Sequence, residues 1–168
     1  DSDDLVDTTL VACCVDCAQQ MDAELVTYEC TPFMDGAPIS PPAPGGVAAE
    51  AEPIAAEYFR LPHLAWLKFI RRTLLRDPAL RFPVGLYYED WPFHWRLGLD
   101  TQRRVQLGAS LYHYRQRATS ITGSTGRKLL DLFVIHSLVI DILDGAADPE
   151  VGRILAERGI GLVYGVGN

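Results

Sequence analysis

Two adjacent carboxylates, Glu89 and Asp90, lie in the most aromatic stretch of the sequence, residues 81–96. Their apolar neighbours are Phe82, Leu86, Tyr87, Tyr88, Trp91, Phe93 and Trp95. Burying an unpaired carboxylate is costly, so acidic side chains in such a setting have a partner or a chemical role. One interpretation is a helix cap, in which either acid opens a helix with Pro92 in its first turn. The other is a carboxylate that takes part in catalysis.

The chain opens with a second acidic motif, Asp-Ser-Asp-Asp at residues 1–4. Hard cations such as magnesium and manganese favour carboxylate oxygens, and Asp1 and Asp3 offer these at alternate positions of an extended segment. The motif does not fit an EF-hand, because Leu5 and Val6 stand where that loop requires an oxygen ligand and a glycine. A haloacid-dehalogenase phosphatase also opens with Asp-x-Asp, but a matching second acidic pair and lysine are not seen in the sequence. A frayed acidic terminus is the remaining alternative.

Two longer runs occur in a fixed order. Leu-Arg-Phe-Pro-Val-Gly-Leu-Tyr-Tyr-Glu-Asp-Trp-Pro-Phe starts at residue 80, and Leu-Tyr-His-Tyr-Arg-Gln-Arg-Ala-Thr-Ser-Ile-Thr starts at residue 111. Together they resemble the second half of a bacterial family 2 glycosyltransferase. In that family an aromatic-rich Glu-Asp pair carries the catalytic base, and a Tyr-Arg-x-Arg-x-x-Ser-Ile segment follows it. Residues 1–4 resemble the same family's Asp-x-Asp metal motif, so the resemblance covers the chain from residue 1 to about residue 143.

The resemblance implies transfer of a sugar, with inversion, from a nucleotide-diphosphate donor to an acceptor hydroxyl. Asp90 is then the catalytic base, and Glu89 orients it or binds an acceptor hydroxyl. The base needs no raised pKa, because the hydroxyl loses its proton late in such a reaction. A manganese or magnesium ion neutralises the leaving diphosphate. By the family's pattern Asp3 is the direct metal ligand, while Asp1 contacts the metal or the ribose.

Arg115 and Arg117 match the family's Tyr-Arg-x-Arg segment, which implies a place near the donor diphosphate or on a closing loop. Guanidinium groups suit phosphate oxygens, and Ser120 and Thr122 could add hydroxyl contacts. The alternative is that the two arginines form surface ion pairs. His113 lies where some metal-dependent transferases supply an imidazole ligand, and a satisfied or exposed histidine is its alternative.

The composition is that of an ordinary globular domain, with 48 % hydrophobic and 22 % charged residues among 168. The net charge of −7 argues against a nucleic-acid binder, which needs a basic surface. No stretch qualifies as a secretion signal, and the apolar run at residues 129–143 is too short and too polar to span a bilayer. We therefore expect a cytoplasmic location, extending to peripheral association with the inner face of the membrane. The expected partners are the sugar donor and a carbohydrate or lipid-linked acceptor.

The four cysteines, Cys13, Cys14, Cys17 and Cys30, form no metal-binding pattern with a second pair. Their clustering also differs from that of a secreted disulfide framework. We expect reduced cysteines that pack as small hydrophobic residues.

Hydrophobic periodicity predicts alternating helices and strands, as in a layered α/β protein. Asp4 or Asp7 would cap the first helix. The predicted elements are a helix from about residue 4 to 20, a strand at 24–30, helices at 62–76 and 91–99, a strand at 109–115, and helices at 128–143 and 149–158. Residues 31–53 are rich in proline and glycine, which predicts a long loop or a pair of weak edge strands. Gly159 is expected to end the last helix.

The predicted fold class is α/β, a truncated GT-A-like three-layer sandwich that lacks its N-terminal nucleotide-binding half and carries added C-terminal helices. Residues 1–126 would form the second half of the catalytic domain, and residues 127–168 a helical extension. A chain without the first half would expose a sheet edge through which copies could pair into a homo-oligomer.

Two functions follow from the sequence. The first is the catalytic half of a metal-dependent glycosyltransferase in polysaccharide or glycolipid synthesis. The second is a non-catalytic fragment or degenerate module that acts in self-association or partner binding. The pairing of the Asp-x-Asp and Glu-Asp motifs favours descent from an active enzyme. Donor sugar, nucleotide and acceptor depend on loops that vary independently of the scaffold.

Overall fold

The structure, a computed structural model, describes residues 3–39, 56–117, 128–144 and 148–166. In chain order its strands and α-helices are β1 (Leu5–Val6), α1 (Leu10–Gln20), β2 (Leu25–Met34), β3 (Lys68–Ile70), α2 (Asp90–Asp100), β4 (Arg104–Gln116), α3 (Lys128–Leu143) and α4 (Pro149–Val166). Short 3-10 helices occur at Ala56–Arg60, Ala65–Leu67 and Leu74–Arg76. The predicted α/β class is confirmed. None of the helices in the described ranges is long and apolar enough to cross a membrane.

The chain divides into two compact units. Unit 1 comprises Asp1–Pro53, Trp66–Arg72 and Gln102–Ser124, and unit 2 comprises Ile54–Ala65, Thr73–Thr101 and Thr125–Asn168. The predicted boundary between a catalytic portion and a helical extension at residue 126 stays a prediction.

Unit 1 is built on a four-stranded sheet with strand order β1-β4-β2-β3. β1 and β4 are antiparallel, β4 and β2 are parallel, and β2 and β3 are antiparallel. Helix α1 packs on this sheet through Leu10, Cys14 and Cys17, which meet Val26 and Val105 in the core. Cys14 and Cys17 are buried, in agreement with the prediction of small hydrophobic packing residues, whereas Cys13 is exposed.

Unit 2 is helical. Helix α2 packs against α3, and α4 packs against α3 and the 3-10 helix Ala56–Arg60. The core of unit 2 includes the fully buried side chains of Tyr58, Trp95, Leu97, Ile135, Val139 and Ile154. Helices α2 and α3 lie where the sequence predicts them.

The predicted helix at residues 62–76 is wrong. Its apolar residues recur at helical spacing, but Lys68–Ile70 forms strand β3, with Phe69 opposite Val26 of β2. Only single 3-10 turns flank this strand within the predicted helix. Pairing with the sheet therefore overrides a helical pattern that is too short to decide the structure by itself.

The first helix and the first long strand are shifted from their predicted bounds. Helix α1 begins only at Leu10, because the chain first pairs with β4 as strand β1. Asp7 precedes the helix, and its Oδ1 accepts the N–H of Thr9 at 2.8 Å in a local turn. Strand β2 continues through Pro32 to Met34, beyond the predicted end at residue 30. Among the described residues β3 pairs only with the first part of β2, so a residue without an N–H is tolerated further along.

Helix α4 passes through Gly159, where the sequence predicted a stop. A Cβ at this position would lie 2.8 Å from Cε1 of His136 on α3. Gly159 therefore permits close approach of two helices, a role that its position in the sequence does not distinguish from a cap.

Candidate functional site

The parallel pairing of β2 and β4 sets the first cluster of candidate residues, in unit 1. The register places Phe33 opposite Arg115 and Met34 opposite Gln116. The ladder then continues, because the N–H of Asp35 donates to the carbonyl of Gln116 at 3.0 Å. Side chains alternate along a strand, so Asp35 shares a face with Arg115 and Arg117.

Arg115 is held by three groups. Its Nη1 donates to Oδ1 of Asp35 at 2.6 Å, and its Nε donates to the backbone carbonyl of Asp3 at 2.6 Å. The guanidinium also lies over the ring of Phe33, 4.9 Å from the centroid. These contacts fix both the position and the plane of the guanidinium.

Arg117 bridges two carboxylates. Its Nη1 lies 3.2 Å from Oδ2 of Asp3, and its Nε lies 3.5 Å from Oδ2 of Asp35. Two carboxylates and two guanidinium groups thus alternate at the end of the β2–β4 pair. The hydrogen bond from Arg115 holds the pKa of the Asp35 carboxyl below its usual value. We call Asp3, Asp35, Arg115 and Arg117 the arginine–carboxylate cluster.

Asp4 anchors the start of the described chain to β4. Its Oδ1 accepts the backbone N–H of Arg115 at 2.7 Å, and its Oδ2 accepts the hydroxyl of Tyr112 at 2.8 Å. Burial, together with this hydrogen bond to Asp4, raises the pKa of the Tyr112 hydroxyl. Asp4 was one of two predicted caps of the first helix. Its carboxylate instead binds strand β4.

The oxygen donors of the cluster fit a hard divalent cation in chemical type. Asp3, the predicted ligand, pairs with Arg117, and Asp1 lies outside the described residues. In the described part of the chain, no group of three or more histidine, cysteine, aspartate or glutamate side chains could hold a metal ion. The assignment of Asp1 and Asp3 to a metal stays a prediction. His113, the weaker candidate, is buried on β4 opposite Leu5.

The candidate base lies in unit 2. Asp90 is the first residue of α2, and its Oδ2 accepts the backbone N–H of Ala65 at 3.0 Å. Glu89 occupies the N-cap position without a side-chain capping hydrogen bond. Pro92 lies in the first turn, as expected. The carboxylate of Asp90 therefore holds a second segment of chain beside the helix.

Aromatic and histidine rings pack around the first turns of α2. His63 packs against Trp91 with ring centroids 4.1 Å apart and against His94 at 4.8 Å. His94 in turn stacks on Tyr58 at 4.4 Å. Because His63 lies two residues before Ala65, this packing fixes the segment whose N–H binds Asp90. Trp95 is fully buried and belongs to the core of unit 2.

The residue before the Glu-Asp pair has an unusual backbone. Tyr88 has a φ of +63°, in the left-handed region that bulky residues rarely adopt, and its carbonyl accepts the N–H of Trp91 at 3.1 Å. Such conformations cost free energy and are often found at functional sites. This strained turn sets the direction in which the chain enters α2 at Asp90.

The structure brings together Asp3, Arg115 and Arg117 in unit 1, and it places Glu89 and Asp90 at the start of α2 in unit 2. Asp1, Ser120 and Thr122 lie outside the described residues. Sequence reasoning missed Asp35. Its signal is a carboxylate beside Gly36, which adopts a φ of +82°, at the end of an apolar run. Its pairing with Arg115 and Arg117 follows only from the parallel register of β2 and β4, which the sequence does not specify.

The sequence matches no protein-family model and no curated protein. The fold is nevertheless a glycosyltransferase fold, in agreement with the predicted GT-A-like α/β class. It is similar to the crystal structure of S. aureus TarS 1–349 in complex with UDP-GlcNAc, with a TM-score of 0.72 and 20% sequence identity over 94% of this chain. The complex of the same protein with UDP gives a TM-score of 0.68 at 18% identity, and TarS 1–349 itself gives 0.66 at 19%. The chain spans 45% of the length of the first of these structures.

Proposed function

We propose that this chain is part of the catalytic machinery of an inverting glycosyltransferase. It would transfer a sugar from a nucleotide-diphosphate donor to a hydroxyl acceptor. The observation that carries the proposal is the glycosyltransferase fold, with a TM-score of 0.72 over 94% of the chain. The arginine–carboxylate cluster supports it, because Arg115 and Arg117, which the family resemblance places near the donor diphosphate, contact Asp3, its predicted metal ligand.

In this proposal the acceptor oxygen attacks the anomeric carbon of the sugar while the bond from that carbon to the diphosphate oxygen breaks. Asp90 accepts the acceptor's proton, and the nucleotide diphosphate leaves with the electron pair. The hydrogen bond from Ala65 to Oδ2 orients the carboxylate for this proton transfer. Glu89 orients Asp90 or binds an acceptor hydroxyl.

Arg115 and Arg117 bind the donor diphosphate, because fork-shaped guanidinium groups match phosphate oxygens. Ser120 adds a hydroxyl contact. A manganese or magnesium ion, held by Asp3 with Asp1, would supply further neutralisation of the leaving group. Uridine diphosphate is the first donor nucleotide to test, because TarS has been crystallised with UDP and UDP-GlcNAc.

We place the protein in a bacterium, in polysaccharide or glycolipid synthesis. Its acceptor would be a carbohydrate or lipid-linked, and its location the cytoplasm or the inner face of the membrane. Self-association is the second candidate function. It is favoured by the exposed apolar side chains of α3, namely Leu130, Phe133, Val134 and Ile140.

Asp90→Asn tests the base. The amide keeps the shape of the carboxylate and its hydrogen bond from Ala65, but it cannot take a proton. We expect sugar transfer to fall by about a hundredfold or more, the usual contribution of a positioned base, while the Kd for UDP changes little. Both are measured on the full chain, transfer by release of UDP from the sugar donor in the presence of candidate acceptors and binding by calorimetry.

Asp100→Asn is the matched control. It removes an aspartate from the other end of α2, where Asp100 pairs with Arg96 at 2.8 Å. Transfer should be retained in this variant. Transfer at the wild-type rate by Asp90→Asn would remove Asp90 from the role of base.

A further inference from the structure

Asp35 contacts both arginines of the arginine–carboxylate cluster. Its Oδ1 accepts from Arg115, and its Oδ2 lies against Nε of Arg117. One anion whose separate oxygens engage two guanidinium groups has the same bonding pattern as a phosphate group between them. The carboxylate therefore lies where an incoming phosphate would make its contacts.

The backbone at Asp35 is fixed, while the side chain is accessible. Its N–H is bound to Gln116, and a turn follows at once, in which the N–H of Ala37 donates to the carbonyl of Met34 at 2.9 Å. The Asp35 side chain is 52% exposed, and that of Arg117 is 44% exposed. Rotation about the side-chain bonds of Asp35 is then enough to release the arginines, without any change of the sheet.

We propose that Asp35 is an internal competitor of the donor phosphates, which holds Arg115 and Arg117 in place until the diphosphate displaces it. This inference rests on the proposed function, since it assigns the same two arginines to the donor. Asp35 is a positioning residue, because it acts through Arg115 and Arg117 and does not itself contact the donor.

Two consequences follow from competition. In the free protein Asp35 keeps the guanidinium groups together, although two like charges so close would repel each other. In the complex the displaced carboxylate lies near the phosphates, and it disfavours retention of the anionic nucleotide after transfer. Removing its charge should therefore tighten binding of the diphosphate, whereas removing a structural anchor would weaken it.

The test is calorimetric titration of the full chain with UDP and, separately, with inorganic pyrophosphate. The variants are Asp35→Asn, the charge-conserving Asp35→Glu, and Asp16→Asn. The last is a control for net charge, because Asp16 is an exposed residue of α1. We expect Asp35→Asn to lower the Kd for both ligands by about three- to fivefold, a modest factor because exposed ion pairs are individually weak. Asp35→Glu keeps the negative charge, so its Kd should be closer to the wild-type value than that of Asp35→Asn. Asp16→Asn should have the wild-type Kd.

An unchanged or higher Kd in Asp35→Asn, with wild-type binding intact, would overturn the competitor role and leave the proposed function standing. Absence of binding in both the wild type and Asp35→Asn would overturn the competitor role together with the proposed function. Thermal unfolding of each variant shows whether the fold is kept, and a loss of folding in Asp35→Asn would identify Asp35 as a structural anchor and so also reject the proposal.

Discussion

At the scale of single residues, hydrogen bonds of Asp4 to β4 fix the position of the acidic segment at residues 3–4. Each carboxylate oxygen of Asp4 binds a different group on β4, the hydroxyl of Tyr112 and the N–H of Arg115. Hydrogen bonds to a charged group are stronger than those between neutral groups. The hydrogen bonds of Asp4 place the preceding residue, Asp3, beside Arg117. Asp4 therefore positions Asp3, the predicted metal ligand.

The cysteines give a prediction at the same scale. Burial raises the pKa of the Cys14 thiol to about 12 and also raises that of Cys17. The thiolate is the reactive form, so at pH 8 the native protein should be alkylated first at the exposed Cys13 and last at Cys14. Peptide mass spectrometry after brief treatment with iodoacetamide, with and without denaturant, measures this order.

The pH dependence has a definite sign. The folded chain keeps the Cys14 proton to about pH 12, whereas the unfolded chain releases it near pH 8.5. The contribution of the buried Cys14 thiol to the free energy of unfolding is therefore complete below about pH 8.5. It is lost as the pH rises from there towards about 12. Equal labelling of Cys13 and Cys14 in the native protein would contradict the packing of α1.

At the scale of elements, the close packing of α2 on the Ala56–Arg60 segment requires a glycine at position 98. A Cβ on Gly98 would lie 2.5 Å from Cε1 of Tyr58 and 2.7 Å from Cε1 of Phe59. Alanine is normally preferred to glycine inside a helix by about 1 kcal/mol. Overpacking of a core costs about 1–3 kcal/mol, so Gly98→Ala should lower the free energy of unfolding.

Gly152 of α4 provides the matched control, because a Cβ there meets no atom within 4 Å. Gly152→Ala should raise the free energy of unfolding by about 0.5–1 kcal/mol. Urea denaturation of both variants measures the two effects. Stabilisation by Gly98→Ala would mean that the Ala56–Arg60 segment does not pack closely on α2.

Helices α2 and α3 were readable from the sequence, α2 from a carboxylate followed by Pro92 and α3 from its long apolar run. Trp95 and Ile135 are among their fully buried side chains. Strand β3 was not readable, because Lys68–Ile70 becomes a strand only by pairing with β2. The same limit applies to the candidate site: the Tyr-Arg-x-Arg segment was found, but Asp35 joins it only through the parallel register of two distant segments.

At the scale of the whole molecule, the fold is shared with a glycosyltransferase across nearly the entire chain, at 20% identity. A structural match at such low sequence identity shows a shared fold, whereas activity depends on the particular side chains that the fold positions. In the proposed function those residues are the arginine–carboxylate cluster of unit 1 and, in unit 2, Glu89 and Asp90 at the start of α2. The roles proposed for them are binding of the donor diphosphate and acceptance of the acceptor's proton.

The most direct test of the central claim is calorimetric titration of the full chain with UDP, with and without manganese, in the wild type and in Arg117→Gln. Arg117 is the more exposed of the two arginines, so its substitution should leave the fold intact. Binding at about micromolar strength in the wild type, strengthened by manganese and weakened tenfold or more in the variant, is the predicted result. Equal binding by both proteins, or binding by neither, would contradict the assignment of the arginine–carboxylate cluster to a nucleotide-diphosphate donor.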